Sequence, residues 1–132
     1  MAGKNGKRKR VLVVDDDPRI VRFVYAYLAA KGFEVQTAAS GEAALEKIRD
    51  QAPDIILLDM LMPARDGLSV LEELRVFSVV PVIALSANSS VAASALKLGA
   101  NDFMKKPFNP DELAGRITSL LAATRGKTKL TH

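Results

Sequence analysis

The chain has 132 residues, 48% of them hydrophobic and 26% charged, as expected of one globular domain with one core. It contains no cysteine, which excludes disulfides, thiolate nucleophiles and Cys-ligated metals. The apolar stretches are strand-sized, and residues 1–10 lack the apolar centre of a signal peptide, so we expect a cytoplasmic protein without a membrane span.

The net charge of +4 is unevenly distributed. Basic residues concentrate in residues 1–10 and after Thr124, whereas all 15 acidic residues lie between these two regions. An N-terminal basic run is typical either of a nucleic-acid contact or of a solvated tail. We favour the tail, and nucleic-acid binding is not expected, because no aromatic or groove-binding helical pattern accompanies the charges.

The predicted organisation is one folded domain with two free ends. A basic flexible tail covers residues 1–9, the domain covers residues 10–125, and a second flexible tail covers residues 126–132. About a dozen residues after the last helix are too few to fold into an output domain, so none is expected in this sequence.

Hydrophobic patterning divides the domain into five strands that alternate with five helices. The continuous aliphatic runs Val11–Val14 and Ile55–Leu58 predict strands buried on both faces. Residues 34–38 alternate polar and apolar side chains, which predicts a strand nearer a sheet edge. The predicted strands cover residues 10–14, 34–38, 55–59, 81–86 and 101–106.

Capping signals place the helices between these strands. Asp17 and Pro18 begin the first helix, and Gly32 ends it. The second helix runs from Ser40 to about Arg49. The remaining helices are predicted after Gly67, from Ser89 to Leu98, and from Asn109 to an end near Gly126.

Strict alternation of strands and helices requires a parallel sheet with right-handed crossovers and helices on both faces. The predicted fold class is therefore α/β, with a five-stranded parallel sheet flanked by five helices. If the strand order is 2-1-3-4-5, strands 1 and 3 are neighbours at the switch point, where open α/β sheets bind their ligands.

Polar side chains lie at the ends of four predicted strands. Asp15 and Asp16 follow the first, Asp59 ends the third, Ser86 ends the fourth, and Lys106 lies beside the fifth. Three carboxylates at one sheet edge repel each other, which raises a pKa or favours a bound cation. Oxygen-only ligands favour a hard ion such as Mg²⁺. Lys106 and Ser86 then complete a site suited to a phosphoryl group.

Each of these residues also has a structural interpretation. Strand-end aspartates cap helices, Ser86 alone would be a turn residue, Lys106 alone a surface lysine, and Phe103 alone part of the core. Their joint placement at the correct strand ends favours the functional interpretation.

Five groups of motifs follow the strands in a characteristic order. They are Val13-Val14-Asp15-Asp16-Asp17, Leu58-Asp59-Met60 with Met62-Pro63 and Asp66-Gly67, Leu85-Ser86-Ala87, Gly99-Ala100 with Asp102-Phe103, and Lys106-Pro107-Phe108. As a set they resemble the receiver domains of response regulators, in the CheY-like superfamily. The resemblance covers residues 10–124 and implies the flavodoxin-like fold with strand order 2-1-3-4-5.

The resemblance implies a role for each candidate residue. Asp59 would be the phosphoacceptor. Asp15 and Asp16 match the acidic pair that holds Mg²⁺, and Asp59 with the backbone carbonyl of Leu61 would complete the protein ligands. Lys106 would contact the phosphoryl oxygens, and its peptide bond to Pro107 is expected to be cis, which X–Pro bonds permit at little cost.

The implied function is that of a two-component response regulator, a phosphoprotein of a phosphorelay. A sensor histidine kinase or a histidine phosphotransfer protein would supply the phosphoryl group, and a downstream protein would receive the signal. The domain would assist its own phosphorylation and dephosphorylation without being an enzyme. Movement of Ser86 toward the phosphoryl group and of Phe103 inward would remodel the surface of helix 4, strand 5 and helix 5. The sole histidine, His132, lies in the tail, so the chain is not expected to donate phosphohistidine.

Two features depart from the family pattern. The segment from Ser86 to Lys106 is shorter than the pattern, which predicts a shortened fourth helix or preceding loop. Leu61 is apolar and, with Asn88, flanks the path of the attacking water. We therefore expect a longer-lived phosphoryl group than in receivers with polar residues at these positions.

Two alternative functions fit part of the sequence. Asp15 and Asp17 superficially match the nucleophile and acid of a haloacid-dehalogenase-type phosphatase, but that assignment leaves Asp59 and Lys106 unexplained. A receiver-fold interaction module that no longer needs phosphate is the second alternative. The intact acidic residues argue against it, and the shortened fourth helix favours it.

Overall fold

The computed structural model describes residues 8–130, with side chains described through residue 123. Five strands cover Arg10–Val14 (β1), Glu34–Ala38 (β2), Ile55–Asp59 (β3), Val82–Ser86 (β4) and Asp102–Lys105 (β5). Five α-helices cover Pro18–Ala30 (α1), Gly41–Asp50 (α2), Gly67–Phe77 (α3), Ala92–Lys97 (α4) and Pro110–Leu130 (α5), and a 3₁₀ turn, Ser89–Val91, precedes α4.

The strands form one fully parallel sheet in the order β2-β1-β3-β4-β5, which confirms the predicted topology. β3 lies at the centre, where Leu57 is opposite Val13 of β1 and Ile83 of β4. All five residues of β3 are buried, as are all five of β4, because helices cover both faces.

Two hydrophobic clusters fill the two sides of the sheet. Alternate residues of one strand point to opposite faces, so Leu12 and Leu58 lie in one cluster and Val13 and Leu57 lie in the other. The first cluster packs against α2, α3 and α4. The second packs against α1 and α5. This two-sided burial fixes the strand register and hence the positions of the strand-end residues.

The predicted caps are present at the helix starts. Asp17 Oδ1 accepts a hydrogen bond from Arg19 N at 2.9 Å, and Pro18 is the first residue of α1. Ser40 Oγ accepts from Ala43 N at 3.2 Å at the start of α2. Such bonds satisfy backbone N–H groups that have no partner within the helix.

β2 is one edge of the sheet, as its alternating pattern predicted. The Lys47 side chain of α2 reaches this edge and donates from Nζ to the carbonyl oxygen of Thr37 at 2.7 Å. A charged group therefore lies on the open side of the strand.

Two helix boundaries differ from the sequence pattern. The predicted fourth helix splits into the 3₁₀ turn and the six-residue α4, because Asn88 Oδ1 accepts from Ser90 N at 3.0 Å and tightens the first turn. The backbone of α5 stays helical past Gly126, since one glycine costs a helix only about 1 kcal/mol.

Other expectations lie outside the described part of the chain. Residues 1–7 of the predicted N-terminal tail and residues 131–132, including His132, are not described. Between residues 8 and 130, no helix has both the length and the apolar character needed to cross a membrane.

Candidate functional site

Three carboxylates converge at the carboxyl ends of β1 and β3, as the strand order predicted. One oxygen from each of Asp15, Asp16 and Asp59 lies within 4.8 Å of the other two. Asp15 is 1% exposed and Asp59 4% exposed, whereas Asp16 is exposed to solvent. We call these residues, together with Lys106, the acidic site.

Lys106 is the cation of the acidic site. Its Nζ lies 2.8 Å from Asp15 Oδ2 and 3.3 Å from Asp59 Oδ1, so its closest bond is to Asp15. The backbone N of Lys106 donates to the carbonyl of Ser86 at 2.9 Å, which ties the residue to the end of β4. The Lys106–Pro107 peptide bond is cis, as expected.

The electrostatics of the site leave negative charge in excess. Burial and the charge of Asp15 raise the pKa of Asp59 to about 6, against the opposing effects of Lys106 and of the Leu61 N–H, which lies 3.3 Å from Asp59 Oδ1. Burial works against the Lys106 ammonium, but hydrogen bonds and attraction from Asp15 and Asp59 outweigh it and raise the pKa of Lys106. The acidic site therefore holds three carboxyl groups and one ammonium, and this excess of negative charge suits a further cation.

The backbone around Asp15 holds its carboxylate in place. Asp15 N donates to the carbonyl of Ala38 in β2 at 3.1 Å. Asp15 Oδ1 accepts from Asp17 N at 2.9 Å, while Oδ2 faces Lys106. Both oxygens of this buried carboxylate are thus satisfied, so Asp15 has a fixed orientation.

The loop between β3 and α3 packs directly on Asp59. Gly67 N donates to the carbonyl of Met60 at 3.0 Å. A Cβ atom at Gly67 would lie 2.5 Å from the carbonyl oxygen of Asp59 and 2.7 Å from Met60 Cα. Because both are backbone atoms, a side chain at position 67 would force the end of β3 to shift. Steric contact therefore explains why a glycine follows Asp66 in this loop.

Three further residues surround the acidic site at different depths, namely Ser86, Phe103 and Leu61. Ser86 is fully buried, and its Oγ accepts from Asn88 N at 3.0 Å. Within the described residues, no hydrogen bond joins the Ser86 hydroxyl to Asp59 or Lys106. Phe103 is partly buried against the core beneath α4. Leu61 is 55% exposed at the rim of the site.

The sequence interpretation missed two arginines that organise the surroundings. Arg65, in the loop after Asp59, pairs with Glu42 at 2.6 Å and with Glu73 at 2.5 Å. Arg75, in the last turn of α3, donates to the carbonyl of Gly99, just after α4. A basic residue in a last helical turn was the available signal for Arg75. No local signal marks the partners of Arg65, because they lie on two other elements.

Residues 11–118 match the family of response regulator receiver domains. The chain belongs to this family. It is 45% identical over 123 residues to the probable transcriptional regulator ycf27 of Cyanophora paradoxa, which covers 92% of this chain and 52% of the relative. It is 38% identical over 116 residues to the DNA-binding response regulator MtrA of Mycolicibacterium smegmatis, with coverages of 86% and 51%.

A solved structure gives the same assignment. The receiver domain of the Francisella response regulator 1452 superposes with a TM-score of 0.84 at 37% identity, covering 89% of this chain and 99% of that one. The chain spans about half the length of the curated relatives it matches. The chain is thus a receiver domain of the two-component response regulator family, with an acidic cluster at its switch point.

Proposed function

We propose that Asp59 accepts a phosphoryl group from a phosphohistidine and that the phosphorylated domain signals to a downstream protein. The supporting observation is the burial of the Asp59 carboxylate 3.3 Å from Lys106, beside Asp15 and Asp16, at the switch point of a receiver. A carboxylate in this setting is a positioned nucleophile with a cation beside it.

The residues present fit a hard divalent cation. The fit rests on the excess of carboxylate charge and on the all-oxygen donor set. Asp15, Asp16 and Asp59, with the backbone carbonyl of Leu61, would hold Mg²⁺. When bound, the ion would neutralise charge on the phosphoryl oxygens. It would also lower the pKa of Asp59, so that the carboxylate is ionised at neutral pH.

The transfer itself requires little covalent chemistry from the protein. A carboxylate oxygen of Asp59 bonds to phosphorus as the phosphorus–nitrogen bond of the phosphohistidine breaks, and the imidazole leaves with the bonding pair. Lys106 turns from the carboxylates to the phosphoryl oxygens and offsets their charge. Hydrolysis of the resulting acyl phosphate by water resets the domain.

An apolar groove beside Lys106 supports docking of a phosphohistidine donor. It has a volume of about 290 Å³, and its lining includes Ile20 and Phe23 of α1 and Pro107 and Phe108 after β5. Phe23 is 51% exposed. A histidine kinase or a histidine phosphotransfer protein that buried this groove would bring its phosphohistidine to the rim of the acidic site.

The signal would leave the site through Ser86 and Phe103. The Ser86 hydroxyl would move toward the phosphoryl group and donate to one of its oxygens. It would thereby give up the hydrogen bond that it accepts from Asn88 N, and the Phe103 ring would turn into the space that opens. Because Phe103 has no hydroxyl, burial alone favours its inward state. The affected surface is formed by α4, β5 and α5.

The test is the intact mass of the protein after incubation with Mg²⁺ and acetyl phosphate. The wild type is expected to gain one phosphoryl group, and Asp59→Asn none. Asp50→Asn is the matched control, because Asp50 is exposed on α2 and should leave phosphorylation unchanged. A parallel incubation with EDTA should abolish the adduct.

The absence of an adduct on the correctly folded wild type would contradict the proposal. The domain would then act as an interaction module that does not depend on phosphate. An adduct that persisted in Asp59→Asn would place the acceptor elsewhere and contradict the assignment of Asp59.

A further inference from the structure

The two ends of the α4 segment, residues 87–101, are held very differently. α4 itself has six residues, and Ala95 is its one buried residue. Leu96 is 48% exposed. A helix with so little buried surface depends on the bonds at its ends for its position.

Arg75 holds the C-terminal end of the segment. Its Nε and Nη2 donate to the carbonyl of Gly99 at 3.0 and 2.9 Å. Nη2 also lies 3.2 Å from Asn101 Oδ1, which accepts from Val82 N of β4 at 2.9 Å. The guanidinium thus joins α3, the end of α4 and the start of β4 through a rigid fork.

Backbone geometry at Gly99 fits this arrangement. Gly99 has φ +112°, a conformation that L side chains rarely adopt. A Cβ atom there would lie 3.0 Å from Cγ and Nε of Arg75, so the arginine stem packs closely on the glycine. The contact is specific to the pair and is not an incidental surface bond.

The charge of Arg75 is balanced by carbonyl groups. Within the described residues no carboxylate pairs with it, and its Nη1 donates to the carbonyl of Ser78, just past α3, at 3.1 Å. The carbonyl ends of helices carry partial negative charge, so Arg75 caps α3 and α4 together. The Arg75 guanidinium is half-buried and is held by carbonyl and amide oxygens. Because these hydrogen bonds replace the water that it has lost, the guanidinium has a defined position.

At the N-terminal end of the segment, half-buried Val91 packs on the core, but no side chain among the described residues binds this end as Arg75 binds the other. Residues 87–90 are exposed, and α4 has no side-chain cap. In the described part of the chain, the hydrogen bond that links residues 87–91 to the sheet is the one from Asn88 N to Ser86 Oγ, at 3.0 Å. Ser86 is the hydroxyl that the proposed switch moves.

We propose that Arg75 is a positioning residue that fixes the C-terminal end of α4 as a pivot. Release of Asn88 by Ser86 then loosens residues 87–93 while residues 98–101 stay in place. The anchor is independent of phosphorylation, whereas its use as a pivot rests on the function proposed above. The docking surface presented after phosphorylation is therefore set by rotation about Gly99.

The experiment measures amide hydrogen exchange along the α4 segment by NMR, in wild type and in Arg75→Met, which keeps the apolar stem and removes the fork. The reporter amides are Gly99, bonded to Leu96 O at 3.1 Å, and Ala100, bonded to Ala95 O at 2.9 Å. Loss of the charged hydrogen bonds should raise their exchange about tenfold or more. Arg75→Lys should restore part of the protection.

Arg49→Met is the matched control, because Arg49 contacts Glu73 and Phe77 and does not touch α4. It should leave the reporter amides unchanged. Rates are compared after correction for the global stability of each variant from urea unfolding. Unchanged protection of Gly99 and Ala100 in Arg75→Met would overturn the anchor.

Ser86→Ala tests the pivot without a phosphoryl group, because it removes the acceptor of the Asn88 N–H. Exchange should rise at residues 88–93 and stay constant at residues 99–101. In Arg75→Met, Ser86→Ala together, the change should spread to residues 99–101. Equal loosening of both ends in the single Ser86→Ala variant would overturn the pivot.

Acetyl phosphate with Mg²⁺ gives the final comparison on wild type and Arg75→Met. Within the α4 segment, phosphorylation should change exchange at residues 87–93 and not at residues 98–101 in wild type, whereas it should change exchange at both ends in the variant. A failure to form the adduct contradicts the proposed function, while the unphosphorylated variants still decide the anchor.

Discussion

Two groups of charged residues flank the β3–α3 loop, and they balance their charges differently. The acidic site places one ammonium among three carboxyl groups, two of them buried. The second group, the α2–α3 network of Glu42, Arg49, Arg65 and Glu73, pairs two cations with two anions near the surface. A structure selected for stability alone would balance both, so the imbalance of the acidic site indicates a functional requirement.

Removal of the one cation should have the largest effect on stability. Lys106→Met leaves three carboxyl groups together and should destabilise the protein by about 2–4 kcal/mol at pH 8, as measured by urea unfolding without divalent ions. The loss should be smaller at pH 5, where Asp59 takes up a proton. A loss equal at both pH values would show that packing, and not charge, is responsible.

Removal of one carboxylate should have the opposite sign. The raised pKa of Asp59, about 6 against an ordinary 3.8, means that the folded protein binds this proton more tightly than the unfolded chain. Its ionisation therefore costs stability as the pH rises from about 4 to about 6. Without divalent ions, Asp59→Asn should be more stable than wild type by about 1–3 kcal/mol above pH 7.

The two proteins should converge below pH 4, where Asp59 is protonated in wild type. Urea unfolding between pH 3.5 and 8 measures the difference. If the difference in the free energy of unfolding between the two proteins stayed constant over this range, repulsion between Asp59 and Asp15 would be refuted.

A change at the rim should alter the lifetime of the phosphoryl group more than the stability. Leu61 offers no hydrogen bond to an attacking water, whereas asparagine would. Leu61→Asn should therefore shorten the lifetime of the acyl phosphate about three- to tenfold, measured by intact mass after removal of the donor. If wild type loses its phosphoryl group as fast as the variant, the apolar rim has no protective role.

The balanced network should be the least sensitive region. Arg65 and Arg49 hold the pKa of Glu73 below its ordinary value, but the network is near the surface and solvent screens it. Glu73→Gln should lower Tm by only about 1–2 °C, and 1 M NaCl should remove most of that difference. A larger decrease in Tm that does not depend on salt would mean that the α2–α3 network contributes substantially to stability.

Part of the fold and part of the acidic site were predictable from the sequence. The uninterrupted aliphatic runs ending in Asp15 and Asp59 predicted two buried strands, and their adjacency brought the carboxylates together. The residue types then gave the chemistry. The cis bond before Pro107 followed from the family resemblance and not from any local pattern.

The sequence could not provide the pairing of side chains between distant elements. Lys106 lies closer to Asp15 than to Asp59 because of where β5 ends relative to β1, a property of the folded sheet. The sequence did not identify the acceptors of Arg65 and Arg75, because Glu42 and Gly99 lie far from them along the chain. The short spacing from Ser86 to Lys106 predicted a shortened fourth helix or preceding loop, but it predicted neither the split into a 3₁₀ turn and α4 nor the uneven attachment of the segment.

Among residues 8–130 no strand pairs with the outer edge of β2, which has a consequence for the behaviour of the protein at high concentration. An unpaired strand edge is a template on which a second molecule can add a strand, which leads to aggregation. The Lys47 amine occupies the Thr37 carbonyl at this edge and carries a charge that an incoming strand would have to desolvate. We therefore expect Lys47 to reduce permanent pairing of the sheet with other copies of the protein.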